Sequence, residues 1–303
     1  MSRLRHIAAL ASVLCVLGAT ACGGSSTPET STTTQPLSSL PAAIPPTENP
    51  GQDRAVNLEF GGKQRSYVVH TPPSYADSTS LPLVVAMHSF PGDAAQIATT
   101  TGLNAKADKE NFLVVYPEGY SSAYNALVCC GTEDDVGFIR TVIAEMTTQW
   151  KADPQRVYAT GMSNGGDMSY KLAVELPGTF AAIAPVSGGF IGAKAADAAY
   201  KPTTPVSVIT FLGGKDRYIS QFDAGITQWQ QRLACAPTGA PASLAQGITL
   251  TKATCGDGSE VHVYRLPEMG HGWAGAEQGV LSEPNAGVDA TDLLWDFFKV
   301  HPK

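Results

Sequence analysis

The chain has 303 residues, of which 43% are hydrophobic and 16% charged, enough for one sizeable core built as one large domain or two small ones. A net charge of −7 argues against a nucleic-acid surface and against nucleic acid as a partner. No basic run follows the first residues, so an electrostatic membrane patch has no support either.

Residues 1–21 read as a signal peptide of the lipoprotein type. Arg3, Arg5 and His6 supply a positive start, and residues 7–17 form an apolar run too short to span a bilayer comfortably. Gly18-Ala19-Thr20-Ala21-Cys22 then resembles a bacterial lipobox, in which Cys22 is lipidated and becomes the new N-terminus. Ala19 departs from that pattern, which prefers leucine; the alternative is a cut near Ala21 and a secreted product. Residues 22–52 are rich in Ser, Thr, Pro and Gly and cannot bury enough surface to offset their ordering entropy, so they read as a disordered linker. The expected domain is 53–303, exported and monomeric, with the membrane as a partner through the lipid anchor alone.

Residues 56–60 and 64–71 alternate as a hairpin turned at Gly61-Gly62 and ended by Pro72-Pro73. Residues 81–87 and 112–116 are continuous apolar runs, as strands covered on both faces require. A loop and a helix around 103–110 lie between them. Val136, Ile139, Val142, Ile143, Met146 and Trp150 fall at helical spacing over 135–150. Asp153-Pro154 punctuates before a strand at 156–160. Further strands are expected at 180–186, 205–212 and 260–266, and helices at 222–233 and 291–300. The alternation predicts an α/β fold with a mostly parallel central sheet, helices on both faces and an N-terminal antiparallel hairpin at one edge.

Cys129, Cys130, Cys235 and Cys255 belong to the exported domain, and four cysteines in an oxidising compartment allow three connectivities. Cys235–Cys255 closes a loop rich in Pro, Gly, Ala and Thr and stabilises by roughly 3 kcal/mol in the chain-entropy model. Cys129 and Cys130 are left to form a vicinal bridge or to stay free. Neither has a His or Cys partner at zinc-binding spacing, so no metal is expected.

The chemistry centres on Gly161-Met162-Ser163-Asn164-Gly165. The Gly-x-Ser-x-Gly pattern occurs in many loops, but here a β-prone segment precedes it and a helix-compatible one follows. That context describes a sharp turn presenting Ser163 to a substrate carbonyl. A serine hydroxyl needs a general base, a group to orient the base, and donors for the oxyanion. His271 sits in a glycine-flanked loop just past the last strand, whereas His262 alternates within that strand and His301 lies at the C-terminus. Asp216 follows the strand at 205–212; Asp223 and Asp257 are the other acids considered, the latter in a Cys-Gly-Asp-Gly turn. The oxyanion donors expected are the N–H groups of Asn164 and of Phe90, with Ser89 second, because Pro91 has none. Ser89, Phe90, Tyr120, Tyr124 and Trp273 are expected near the mouth of the site, where the aromatic rings could stack on an acyl group.

Several motifs surround this pattern: Val115-Tyr116-Pro117-Glu118-Gly119, Cys129-Cys130-Gly131, Asp134-Asp135-Val136-Gly137-Phe138, Arg156 through Gly166, Phe180 through Val186, and Gly270-His271-Gly272-Trp273. Together they resemble the polyhydroxybutyrate depolymerase and feruloyl esterase family, including exported mycobacterial lipoprotein esterases. The resemblance implies an α/β-hydrolase fold and ester hydrolysis through Ser163, Asp216 and His271, with no cofactor. Three departures stand out: Ser89 where the family has Gly after His, Asp167 where it has a small or apolar residue, and Leu212-Gly213-Gly214 where it has His-Gly. An amide or peptide hydrolase would use the same three residues, and a binding lipoprotein that has lost efficient catalysis is the reading from a different class.

Overall fold

The computed structural model describes residues 50–75 and 80–303. The expected signal peptide, Cys22 and the linker as far as residue 49 lie outside the described residues. Strands β1 (Asp53–Phe60) and β2 (Lys63–His70) pair antiparallel, from Asp53 opposite His70 to Phe60 opposite Lys63. Then come β3 (Leu81–Met87), α1 (Ala94–Thr101), α2 (Leu103–Glu110), β4 (Leu113–Pro117), α3 (Asp135–Thr148), β5 (Ala152–Met162), α4 (Asn164–Glu175) and β6 (Ala182–Val186). A short α5 (Ala193–Ala196) precedes β7 (Ser207–Gly213) and α6 (Ile219–Arg232). The chain closes with β8 (Ala236–Pro237), β9 (Ala242–Ser243), β10 (Thr249–Thr254), β11 (Glu260–Leu266), β12 (Trp273–Ala274), β13 (Ser282–Glu283) and α7 (Ala290–Phe298).

The main sheet runs in the order β1-β2-β4-β3-β5-β6-β7-β11-β10-β8. Strands β4, β3, β5, β6, β7 and β11 are mutually parallel. Alternate residues of β3 explain its unbroken apolar run: Leu83, Val85 and Met87 pack into one core with α3, α4 and α6, and Val84 and Ala86 into a second core with α1, α2 and α7.

The N-terminal hairpin lies at one edge as expected, and the structure adds antiparallel strands at the other, where β10 pairs with β11 from Thr249 opposite Arg265 to Thr254 opposite Glu260; the half-exposed Thr-rich sequence of β10 carries little apolar signal. Two expectations are corrected. A helix, α1, stands where a loop was expected; Asp93 caps it by accepting from Gln96 N–H, and Gly102 ends it in the left-handed region. Strand β5 starts earlier than Arg156, but its ladder is interrupted: Ala152 faces Leu81 and Val157 faces Leu83, so residues around Asp153-Pro154 bulge out of register.

Chain direction along the sheet reverses between β3 and β5. From β3 the chain moves outward to β4, then returns through α3 to β5 on the other side. Such a switch point leaves a crevice at the carboxyl ends of the two strands, the usual ligand site of an open α/β sheet.

Candidate active site

Ser163 directly follows β5 at this switch point, and the His88–Gly92 segment directly follows β3. Ser163 has φ 54° and ψ −116°, a strained conformation for a residue with a side chain. Its neighbours make the turn possible. A Cβ on Gly165 would lie 2.2 Å from Met87 O, and one on Gly161 2.5 Å from the Gly165 carbonyl carbon, so backbone occupies the space on both sides. Ser163 N–H donates to Val186 O at 3.1 Å, and α4 begins at once with Asn164. The N–H groups of this first helical turn have no intrahelical partner.

Asp216 lies three residues past β7, and His271 five residues past β11. The Asp216 side chain is 0% exposed; its Oδ1 accepts from Tyr218 N–H at 2.9 Å and its Oδ2 lies 2.7 Å from His271 Nδ1. With Oδ2 as acceptor, Nδ1 carries the proton and Nε2 is left with its lone pair. The imidazole packs edge-on to Tyr218, ring centroids 5.6 Å apart, and near Phe222. Ser163, His271 and Asn164 line one cavity of about 330 Å³, together with Ser89, Phe90, the Val128–Cys130 segment, Asp167, Ile191 and Phe222. No hydrogen bond joins Ser163 to His271 among the described residues; such contacts are often long until a substrate is bound.

Two other acids have structural partners. Asp223 pairs with Arg265 at 2.7 Å, and Asp257 accepts from the N–H and hydroxyl of Ser259. His262 lies beside Glu260 and Phe297, away from the cavity.

Three residues expected at the mouth are elsewhere. Tyr124 is fully buried, with its hydroxyl on Pro117 O at 2.5 Å and its ring 4.5 Å from that of His88. Trp273 is buried in the second core and donates to Thr291 Oγ1 at 3.0 Å. Tyr120 is exposed under the Lys63 ammonium, 4.3 Å from its ring centroid, and does not line the cavity. Apolar and polar demand inside the fold takes the first two rings, so they have no free face to offer a ligand. Ser89 and Phe90 do line the cavity.

Supporting residues that the sequence did not reveal hold this geometry. His88 is buried, and its Nδ1–H donates to Ser89 O at 2.8 Å while Nε2 accepts from Gly119 N–H at 2.9 Å. Burial pushes its pKa down, which keeps the ring neutral and able to do both. Ser187 Oγ donates to Gly272 O at 2.9 Å and accepts from Gly272 N–H at 3.2 Å, tying the end of β6 to the histidine loop. Glu283 accepts from Gly270 N–H at 3.0 Å on the other side of His271. The Asn164 side chain accepts from Tyr124 N–H and donates to the carbonyls of Tyr124 and Cys129, anchoring the loop that carries the Cys129–Cys130 disulfide. Cys235 and Cys255 form the second disulfide.

Residues 65–203 match the family model described as esterase PHB depolymerase. That stretch is just under half of the chain, and it is similar to that esterase family. Relatives similar to the chain include a protein described as putative esterase NocK, from Nocardia uniformis subsp. tsuyamanensis, 32% identical over 194 residues, which are 62% of this chain and 53% of NocK. Feruloyl esterase B from Piromyces equi is 29% identical over 168 residues, 54% of this chain and 31% of that protein. The chain thus spans about half the length of the first relative and about a third of the second. Among solved structures, the acetyl xylan esterase from Aspergillus awamori superposes with a TM-score of 0.58 over 81% of this chain and 99% of its own, at 16% identity. That likeness establishes the α/β-hydrolase fold. No helix among the described residues is long and apolar enough to cross a membrane.

Proposed function

We propose that the protein is an exported serine esterase that hydrolyses carboxylic esters through Ser163, His271 and Asp216 by way of an acyl-enzyme. The observation that carries this reading is the 2.7 Å contact of the buried Asp216 with His271, which lines the same cavity as Ser163 on its strained turn. His271 Nε2 takes the Ser163 proton as the serine oxygen attacks the ester carbonyl. Asp216 holds the required tautomer and stabilises the imidazolium. The oxyanion is held by N–H groups of Asn164, at the start of α4, and of Phe90, in the segment braced by His88. His271 then protonates the leaving alcohol, and water activated by the same imidazole releases the acid. These steps need no metal or organic cofactor.

The substrates are acyl esters of the polyhydroxyalkanoate, feruloyl or a related class, as small molecules or polymers. Lipidated Cys22 would hold the enzyme on the outer side of the cell membrane; failing lipidation, the enzyme is secreted. Release of Cys22→Ala into the soluble exported fraction supports the anchor, and unchanged membrane retention refutes it.

Hydrolysis of p-nitrophenyl butyrate by the full chain and by Ser163→Ala tests the chemistry. Loss of a nucleophile of this kind costs about 10⁴–10⁶-fold in turnover. Equal rates for the two proteins, or faster cleavage of matched amides than of esters, would refute the assignment.

A further inference from the structure

The cavity beside Ser163 contains a carboxylate that the ester mechanism leaves unused. Asp167 lies one turn into α4, its N–H bonded to Ser163 O at 2.8 Å. Only 8% of the residue is exposed, and it lines the same cavity as Ser163 and His271. Its Oδ1 accepts from Gly189 N–H at 2.8 Å. Its Oδ2 has no hydrogen-bond partner among the described residues, and no Lys or Arg forms an ion pair with it there. Arg217, the one Lys or Arg among the described residues that line the cavity, instead lies over the Tyr218 ring, 4.7 Å from its centroid. Val128, Ile191 and Phe222 make much of the remaining wall apolar.

Oδ2 is not among the fully enclosed unpartnered polar atoms, so it remains accessible from the cavity, and a ligand that displaces solvent there must supply a donor or leave the oxygen unpaired at a cost. The ligand chemistry follows from the surroundings. An ammonium would bring a second charge into an apolar wall and pay its own desolvation. A hydroxyl is neutral, and it can donate to a carboxylate or accept from a carboxylic acid. Burial pushes the Asp167 pKa up to about 7, so both forms of the carboxyl are present near neutrality, and a hydroxyl suits either.

Resting on the esterase reading above, we propose that Asp167 is a specificity-determining residue that selects esters carrying a hydroxyl on the part bound beside α4, over the same ester lacking it. A site built to pair with a substrate hydroxyl discriminates strongly against the deoxy analogue, because its own polar atom is then left unpaired.

The test compares kcat/KM for two matched pairs: p-nitrophenyl 3-hydroxybutyrate against p-nitrophenyl butyrate, and 2-hydroxyethyl butyrate against ethyl butyrate. The full chain, Asp167→Ala and Asp167→Asn are assayed; asparagine keeps an acceptor for Gly189 N–H should alanine fail to fold. The expected result is a preference of about tenfold or more for the hydroxylated member of at least one pair in the full chain. That ratio falls toward one in Asp167→Ala and changes in Asp167→Asn. Ratios in both pairs that are the same in all folded proteins overturn the proposal while leaving the esterase reading intact. Failure of the full chain to cleave any of the four esters overturns both.

Discussion

His271 depends on Asp216 for its tautomer, and the two predict a sharp response to a small change. Asp216→Asn keeps the size of the side chain but presents an amide where Oδ2 accepts from Nδ1–H. The imidazole can then turn its lone pair toward the amide and its proton toward Ser163, the wrong tautomer for a base. Turnover of p-nitrophenyl butyrate is expected to fall about 10⁴-fold with the fold intact. A loss under tenfold in steady-state kinetics would contradict the role assigned to Asp216. Asp167 makes a separate prediction about stability. Its pKa rises from 3.8 to about 7 on folding, through burial opposed by the Gly189 N–H. The folded state therefore holds a proton that the unfolded chain releases between those values, so stability falls as pH rises from about 4 to about 7. At ~1.4 kcal/mol per pH unit the penalty above pH 7 approaches roughly 4 kcal/mol. Urea denaturation at pH 4.5 and 8 should show a larger loss for the wild-type chain than for Asp167→Asn; parallel losses would contradict it.

At the scale of elements, the site is assembled by strand ends. β3, β5, β7 and β11 are parallel, so the segments after Met87, Met162, Gly213 and Leu266 emerge on one edge of the sheet. The tightest joint is between β3, β5 and α4, where Gly165 lets the helix start against the Met87 carbonyl. Gly165→Ala must push backbone apart there, displacing Ser163 from His271. The expected outcome is a loss of at least about 10²-fold in esterase activity, since misplacement by about 1 Å is enough for that, together with a lowered melting temperature. Wild-type activity and stability in this variant would show that the turn is looser than the structure describes. Strand ends were also what made the three side chains proposed for catalysis easy to single out in the sequence. Ser163, Asp216 and His271 each follow an apolar run within a few residues, and glycines flank the serine and histidine. Helix α1 and strand β10 were not legible, because a short Ala- and Thr-rich helix and a half-exposed Thr-rich strand leave weak periodicity.

Across the whole molecule, the residues that sequence reasoning missed are those whose partners are distant in the chain. Ser187 holds Gly272, 85 residues away, and His88 holds Gly119 across a strand crossover. Tyr124 and Trp273 mislead for the same reason: a short stretch around an aromatic ring does not say whether its face meets a ligand or the core. Asp167 is the opposite case. The sequence singled it out only as a departure from the resemblance, and the fold brings it to the wall of the cavity beside Ser163. The enzyme's identity as an esterase finally rests on one covalent bond. Brief reaction of the full chain with p-nitrophenyl butyrate, acid quenching and peptide mass spectrometry read that bond directly. A single butyryl group on the peptide containing Ser163, absent in Ser163→Ala, is the expected result. Continued ester hydrolysis by Ser163→Ala, or a butyryl adduct on another residue that persists in that variant, would contradict it.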